Sequence, residues 1–311
     1  MIPRPPQFEL WLNRQTGFED ARVGSITPVD GGASNITCRV ELLSSGARHI
    51  CLRLQRERGI FEPYDVIREG HVLQALFKSP VPVPQLLASE PDPAPLGAPF
   101  IVMAWVDAPH MGNAPDANFA EFTAAVANIH AQNWRSLGLD FLGVPQSVSE
   151  ALHAEIDAVA ARMPTFGCAD DPLLARALAN LRGAVPVDGR LALCQGDINV
   201  FNYLFKGGKV VAVVDWEQAR ISDPRSDIGQ LLALSHLKGA PFGPAGAMPF
   251  AQAYAAVSGA PLEGMAFFRA FWLWQLGVIH YGWRKFNEGS EPWYSWDHLA
   301  ELLEAALADL R

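Results

Sequence analysis

After Trp105 the hydrophobic pattern of this chain changes period, and near residue 200 it briefly changes back. Before that point, β-branched and apolar residues fall in the short runs Arg22–Pro28, Asn35–Leu43, Arg48–Leu54 and Phe100–Trp105. Such runs read as strands. Ser44-Ser45-Gly46-Ala47 offers a hairpin turn between the second and the third. One helical segment, Asp65–Phe77, carries Val66, Leu73 and Leu76 on its apolar face. The proline-rich stretch Pro80–Pro99 is expected to be mostly loop. Beyond Trp105 the spacing turns helical, with Phe119, Phe122, Val126 and Ile129 marking one helix. Ser147 and Glu150 form a capping-box signature, and Asp171-Pro172 reads as a further helix start. The exception is a β-rich island, Leu191–Val214, with a Gly207-Gly208 turn. The expected architecture is therefore α+β and bilobal. A small β-rich N-terminal lobe, residues 1–105, leads through a connector near Met103–Asp107 into a larger, mainly helical lobe, residues 106–311.

Composition narrows the partners. The chain has 311 residues, half of them hydrophobic and 18% charged, enough for two lobes with a core and unlike a disordered chain. A formal net charge of -9 argues against a nucleic-acid partner, which calls for a basic face. Cys38, Cys51, Cys168 and Cys194 are far apart and form no C-x-x-C pair, so they read as reduced core thiols. Met1–Leu10 contains Pro3, Pro5 and Pro6 and no apolar run of the secretory kind. Ala266–Trp283, the most apolar stretch, is interrupted by Arg269, Gln275 and His280; it reads as a buried helix and not as a membrane span. A cytoplasmic protein without a membrane partner is expected.

The island carries the chemistry. Asp197 and Asn202 stand five residues apart after an apolar strand, and Asp215 follows the next apolar strand. Phosphoryl transfer needs such a set: one carboxylate to orient a hydroxyl and accept its proton, and oxygen ligands for magnesium on nucleotide phosphates. Taken singly, Asp and Asn also cap turns.

In these residues the chain resembles the aminoglycoside-phosphotransferase and choline-kinase group. The family pattern H-G-D-x-x-x-x-N, then D-W-E or D-F-E, matches Gly196, Asp197, Asn202, Asp215, Trp216 and Glu217. The likeness runs from about Val23 to the C-terminal helices. It implies a protein-kinase-like fold and a small-molecule kinase using magnesium and ATP or GTP. It further implies Asp197 as catalytic base, with Asn202 and Asp215 as metal ligands. Gln195 stands where the family usually carries a histidine that supports the loop. Glu217 is read as a supporting residue, and Asp227 as a hydrogen-bonding anchor for the catalytic loop. Asp227 comes only twelve residues after Asp215, too close for the activation segment of a protein kinase. The alternative reading, a non-catalytic nucleotide-binding scaffold, is motivated by Gln195 and by an arginine, described next.

On the nucleotide side, Gly31 and Gly32 allow backbone N–H groups close to phosphate, and Ser34 and Asn35 add short polar side chains. The resemblance assigns this loop to cover the nucleotide. Arg53 stands where the family has a strand lysine, and Glu69 on the following helix is its natural partner. The run through Met103 to Trp105 is the segment whose backbone binds the purine in related kinases. On the acceptor side, Phe267, Phe268, Phe271, Trp272, Trp274, Tyr281 and Trp283 read chiefly as core packing, and His130 as a satisfied buried histidine. The stretch from Gly259 to Gly289 holds only Glu263 and Glu288 as carboxylates, thin for a polycationic drug. A hydroxylated, partly apolar metabolite is the expected acceptor.

Overall fold

Pro5 and Pro6 open the first helix, α1 (Pro5–Leu12), where the missing N–H is not needed and the fixed φ is already helical. The structure, a computed structural model, describes residues 2–29, 34–43, 49–114, 116–237, 243–260 and 262–310. The chain divides into two compact units, Met1–Ala108 with Ala212–Glu217, and Pro109–Val211 with Gln218–Arg311.

In the first unit, β1 (Val23–Pro28), β2 (Ile36–Leu42), β3 (His49–Leu54), α2 (Val66–Leu76), β4 (Leu86–Glu90) and β5 (Phe100–Ala104) follow α1. The strands form one antiparallel sheet in the order β1-β2-β3-β5-β4. The expected turn at Ser44–Ala47 lies outside the described residues. β4 arises within the proline-rich stretch; it is a short edge strand, the position where prolines nearby do least harm. One face of the sheet, with Val40, Ile50, Leu52 and Phe100, packs under Phe8 and Trp11 of α1. Because side chains alternate along a strand, Cys51 and Arg53 point to the other face. That face receives α2: a methyl group at Gly70 would lie 3.0 Å from Ile101. Asp65 caps α2 by accepting the Arg68 N–H, and Val66, Leu73 and Leu76 are buried as expected. Buried Glu69 comes with them.

The second unit is built from α3 (Phe119–His130), α4 (Val148–Ala160), the single turn α5 (Met163–Phe166), α6 (Pro172–Gly183), β6 (Ala192–Cys194), β7 (Tyr203–Lys206), β8 (Lys209–Val213), β9 (Arg220–Ser222), α7 (Pro224–Leu234), α8 (Gly243–Ser258), α9 (Met265–Phe286) and α10 (Trp296–Ala308). The end of β8 passes into the first unit. β6 pairs with β9, and β7 with β8 through the Gly207-Gly208 turn, both glycines with positive φ. Ser147 caps α4 as expected by accepting the Glu150 N–H, while Glu150 accepts the N–H of Gln146, one residue before the cap, and not that of Ser147 as a capping box would. Asp171 caps α6 as expected. α9 is buried along most of its length, and α7 is buried on every side. No helix among the described residues is long and apolar enough to cross a membrane.

Candidate active site

Two clusters hold the motif residues, one in each unit. In the first, Arg53 is the hub. Its Nε meets Glu69 Oε2 at 2.9 Å, and its Nη2 donates to Asp215 Oδ1 at 2.7 Å and to Glu217 Oε2 at 3.2 Å. The expected Arg53–Glu69 pair is thus present, within a larger group. Glu69 also accepts the Trp216 N–H at 3.3 Å. Asp215 sits in the left-handed region, with φ 61°, which costs a residue with a side chain and marks the position as one the surroundings dictate. Asn35 donates to Glu217 at 2.9 Å and accepts the Arg56 N–H, so its side chain braces Glu217. Ser34 is buried beside Arg53. Gly31 and Gly32 lie outside the described residues.

The electrostatics of this cluster are unbalanced. One guanidinium faces the carboxyls of Glu69, Asp215 and Glu217, all close to it. Burial pushes the Glu69 carboxyl up, and the charge of Asp215 adds to this against the pull of Arg53. Glu217 is raised for the same reasons, burial first. Arg53 stays protonated: its burial is outweighed by the three carboxylates. Met103 is buried on β5 opposite Cys51, and Trp105 lies under the Arg39 guanidinium at 5.2 Å.

In the second unit the loop between β6 and β7 is held from below by α7. Asp227 Oδ2 accepts the Gln195 N–H at 2.9 Å, and Oδ1 accepts the Gly196 N–H at 3.1 Å, the anchoring role expected for this residue. Gly196 has φ +86°, and a methyl group there would lie 2.2 Å from the Gln218 carbonyl oxygen, so no larger residue fits. Gln195 is fully buried and accepts from Tyr203 Oη at 2.9 Å. Asp197 is gripped at both oxygens: Asn202 Nδ2 lies 2.8 Å from Oδ2 and 2.9 Å from the Asp197 carbonyl, and Gln230 Nε2 lies 2.6 Å from Oδ1. Gln230 carries no sequence motif; its one signal is its place three residues after Asp227, on the same face of a helix.

His130 bridges Asp227 Oδ2 at 3.1 Å and Tyr254 Oη at 2.8 Å, a satisfied buried histidine as expected. His130, Asp227 and Cys194 lie close enough together for a metal. Both Asp227 oxygens, however, already accept backbone N–H groups, and burial pushes the Cys194 thiol well above its ordinary range. The trio therefore fits a hydrogen-bonded anchor. The α9 rings Phe267, Phe268, Phe271, Trp272 and Trp274 are buried in the interior, while Tyr281 and Trp283 are half-buried.

The combination of an anchored G-D-x-x-x-x-N loop and a D-W-E segment has a match among known families. The chain belongs to the phosphotransferase enzyme family, whose model matches residues 25–271. Among curated proteins, this phosphotransferase is 26% identical over 234 residues to acyl-CoA dehydrogenase family member 10 of Mus musculus. The match covers 71% of this chain and 21% of that protein, so the chain spans about a fifth of the relative's length. Among solved structures, the fold is shared with a Ralstonia eutropha JMP134 protein assigned to the aminoglycoside phosphotransferases. The TM-score is 0.74 at 19% identity, over 99% of each chain. It is also shared with a thermostable mutant of aminoglycoside phosphotransferase APH(4)-Ia, solved in a ternary complex with AMP-PNP and hygromycin B. There the TM-score is 0.64 at 15% identity, over 96% of this chain and 97% of that one. The fold of the chain is thus the α+β, protein-kinase-like fold of these phosphotransferases.

Proposed function

We propose that this phosphotransferase is a kinase that moves the γ-phosphoryl group of ATP or GTP to a hydroxyl of a small molecule, with magnesium. The observation that carries the reading is the Asp197 carboxylate, held at both oxygens by amide donors on a loop whose backbone is anchored to Asp227. A carboxylate held so can accept the hydrogen bond of an acceptor hydroxyl and take its proton as the hydroxyl oxygen attacks phosphorus. The acceptor O–P bond forms, the bond from γ-phosphorus to the bridging oxygen breaks, and the nucleoside diphosphate leaves.

Asn202 and Asp215 each offer an oxygen of the kind magnesium takes. Asn202 uses its amide nitrogen on Asp197, which leaves its carbonyl oxygen as the ligating end. Asp215 contributes a carboxylate from a group of three carboxyls around one guanidinium, and a divalent cation there would favour their ionised forms. When bound, magnesium neutralises the charge of the phosphate oxygens. Arg53, oriented by Glu69, supplies a fixed positive charge for the phosphates. Ser34 and Asn35 border the nucleotide, and the Met103 and Trp105 backbone borders the purine. The AMP-PNP held by a protein of the same fold supports a nucleotide co-substrate. The scarcity of carboxylates from Gly259 to Gly289 favours a hydroxylated, partly apolar metabolite as acceptor over a polycationic drug.

Transfer across a panel of hydroxylated metabolites tests the reading. Asp197→Asn is expected to lose on the order of 10²–10⁴ in rate, as for loss of a general base, while calorimetry finds magnesium-nucleotide affinity unchanged. Full activity in that variant removes Asp197 from the mechanism. A second reading, a nucleotide-binding scaffold without turnover, draws on the Arg53 guanidinium already seated on Asp215. It predicts magnesium-nucleotide binding with no turnover of any acceptor.

A further inference from the structure

α7 carries two polar residues that face the catalytic loop, and only Asp227 has an expected role. Gln230, one helical turn later, is 6% exposed. A buried amide is costly unless both of its ends are satisfied. Here both ends are used on the loop: Oε1 accepts the Ile198 N–H at 2.9 Å, and Nε2 donates to Asp197 Oδ1 at 2.6 Å. The residue therefore spans the backbone just after Asp197 and the Asp197 side chain itself. A carboxylate attached to a fixed backbone still has rotational freedom about its side-chain bonds. Asn202 restrains Oδ2 but lies on the same loop and shares its movements. Gln230 ties Oδ1 to a separate helix, which is buried on all sides and holds the loop at Gln195 and Gly196 as well.

We propose that Gln230 is the positioning residue for Asp197, fixing the direction in which the carboxylate meets the acceptor hydroxyl. The assignment rests on the proposed role of Asp197 as base. Gln230 does not touch the reacting atoms; it acts through Asp197, and its two hydrogen bonds can be separated by substitution. Gln230→Glu keeps the length and an acceptor for the Ile198 N–H, but sets a carboxylate against the Asp197 carboxylate in place of a donor. Gln230→Leu removes both bonds at similar volume.

The experiment follows phosphate release and transfer from magnesium ATP, using water where no panel metabolite is turned over. The proteins are wild type, Gln230→Glu, Gln230→Leu, Asp197→Ala and the double variant Asp197→Ala/Gln230→Leu, each checked for folding by thermal unfolding. Both Gln230 variants are expected to lose on the order of 10²-fold in kcat, as for misplacement of a reacting group by about 1 Å. KM for magnesium ATP is expected to stay within about twofold, because ground-state binding is not what is lost. The double variant is expected to match Asp197→Ala, since a residue that acts through Asp197 has nothing left to position. A merely structural brace would lower stability while leaving Gln230→Glu near wild-type kcat. That result, or a further loss from Gln230→Leu in the Asp197→Ala background, overturns the assignment while Asp197 keeps its role. An Asp197→Ala variant as active as wild type sinks the proposed base, and this assignment with it.

Discussion

Arg53 is a single buried cation among three carboxyl groups, and that ratio decides how the cluster responds to substitution. Removing the guanidinium leaves Glu69, Asp215 and Glu217 to repel one another with little water to screen them. Arg53→Met is therefore expected to cost about 3–5 kcal/mol, the range for breaking a buried pair from one side, measured by urea unfolding. A loss below about 1 kcal/mol would mean the pair behaves as an exposed one. Protonation should show the same imbalance. Glu217 is raised from 4.5 to about 8 in the folded chain, burial leading, so the folded state holds a proton that the unfolded chain has released over much of this interval. Stability of the ligand-free protein then falls as pH rises from about 4.5 through about 8, because the native state binds more protons. Glu217→Gln carries no such proton, and its thermal midpoint should vary less over that window. An unchanged slope in that variant would contradict the assignment. The Arg53–Glu69 half of this cluster was legible through the family resemblance, which pairs a strand cation with a glutamate on the following helix. The Asp215 half was not, since 162 residues separate it from Arg53 and no local pattern encodes a pairing at that range.

At the scale of elements, α7 is the piece on which the loop depends, and its position is set by its crossing with α9. At Gly229 the helices approach so closely that an added methyl would lie 2.6 Å from Phe268 Cβ and 2.8 Å from its backbone. Backbone cannot swing aside as a side-chain tip can, so the helices must separate. Gly229→Ala should cost about 1–3 kcal/mol, the usual penalty of overpacking, despite the higher helix propensity of alanine. Chemical denaturation measures it, and a stabilised variant would show that the crossing has room for a methyl group. The same contrast explains which elements could be read in advance. α9 is apolar around most of its length, and that alone marks a buried helix. The Ser147 cap marked the start of α4 by a purely local signal. α7 mixes Arg225, Ser226, Asp227 and Gln230 into a fully buried helix, a pattern that looks like a surface helix until the partners of each polar group are known. β4 was hidden because a short edge strand among prolines has too little alternation to separate it from loop.

For the whole molecule, the four cysteines report on how completely each unit encloses its interior. Cys38 and Cys51 lie in the first unit, Cys168 and Cys194 in the second, and all four are free and buried. Burial pushes the Cys51 thiol up to about 12 and the Cys168 thiol up to about 11. It raises Cys38 as well and takes Cys194 well above the ordinary range. Disulfide exchange requires the thiolate. At pH 8 an ordinary cysteine, with a pKa near 8.5, is about one-quarter ionised, whereas a thiol near 12 or 11 is ionised to only about 10⁻⁴ or 10⁻³. Enclosure adds a second barrier, since an aromatic disulfide reagent is too large to reach a side chain packed among core residues. The two effects act in the same direction at all four positions. Native protein at pH 8 is therefore expected to release no rapid equivalent of the coloured thiolate from such a reagent. Protein in denaturant should release four equivalents at once, matching the four cysteines of the sequence. Any slow reaction of native protein would then proceed through opening of the structure. Its rate should rise with sub-denaturing urea, in step with the opening equilibrium. One equivalent reacting natively at the rate of a small-molecule thiol would show that one of these cores is open to solvent, and identifying the labelled cysteine would say which unit it belongs to.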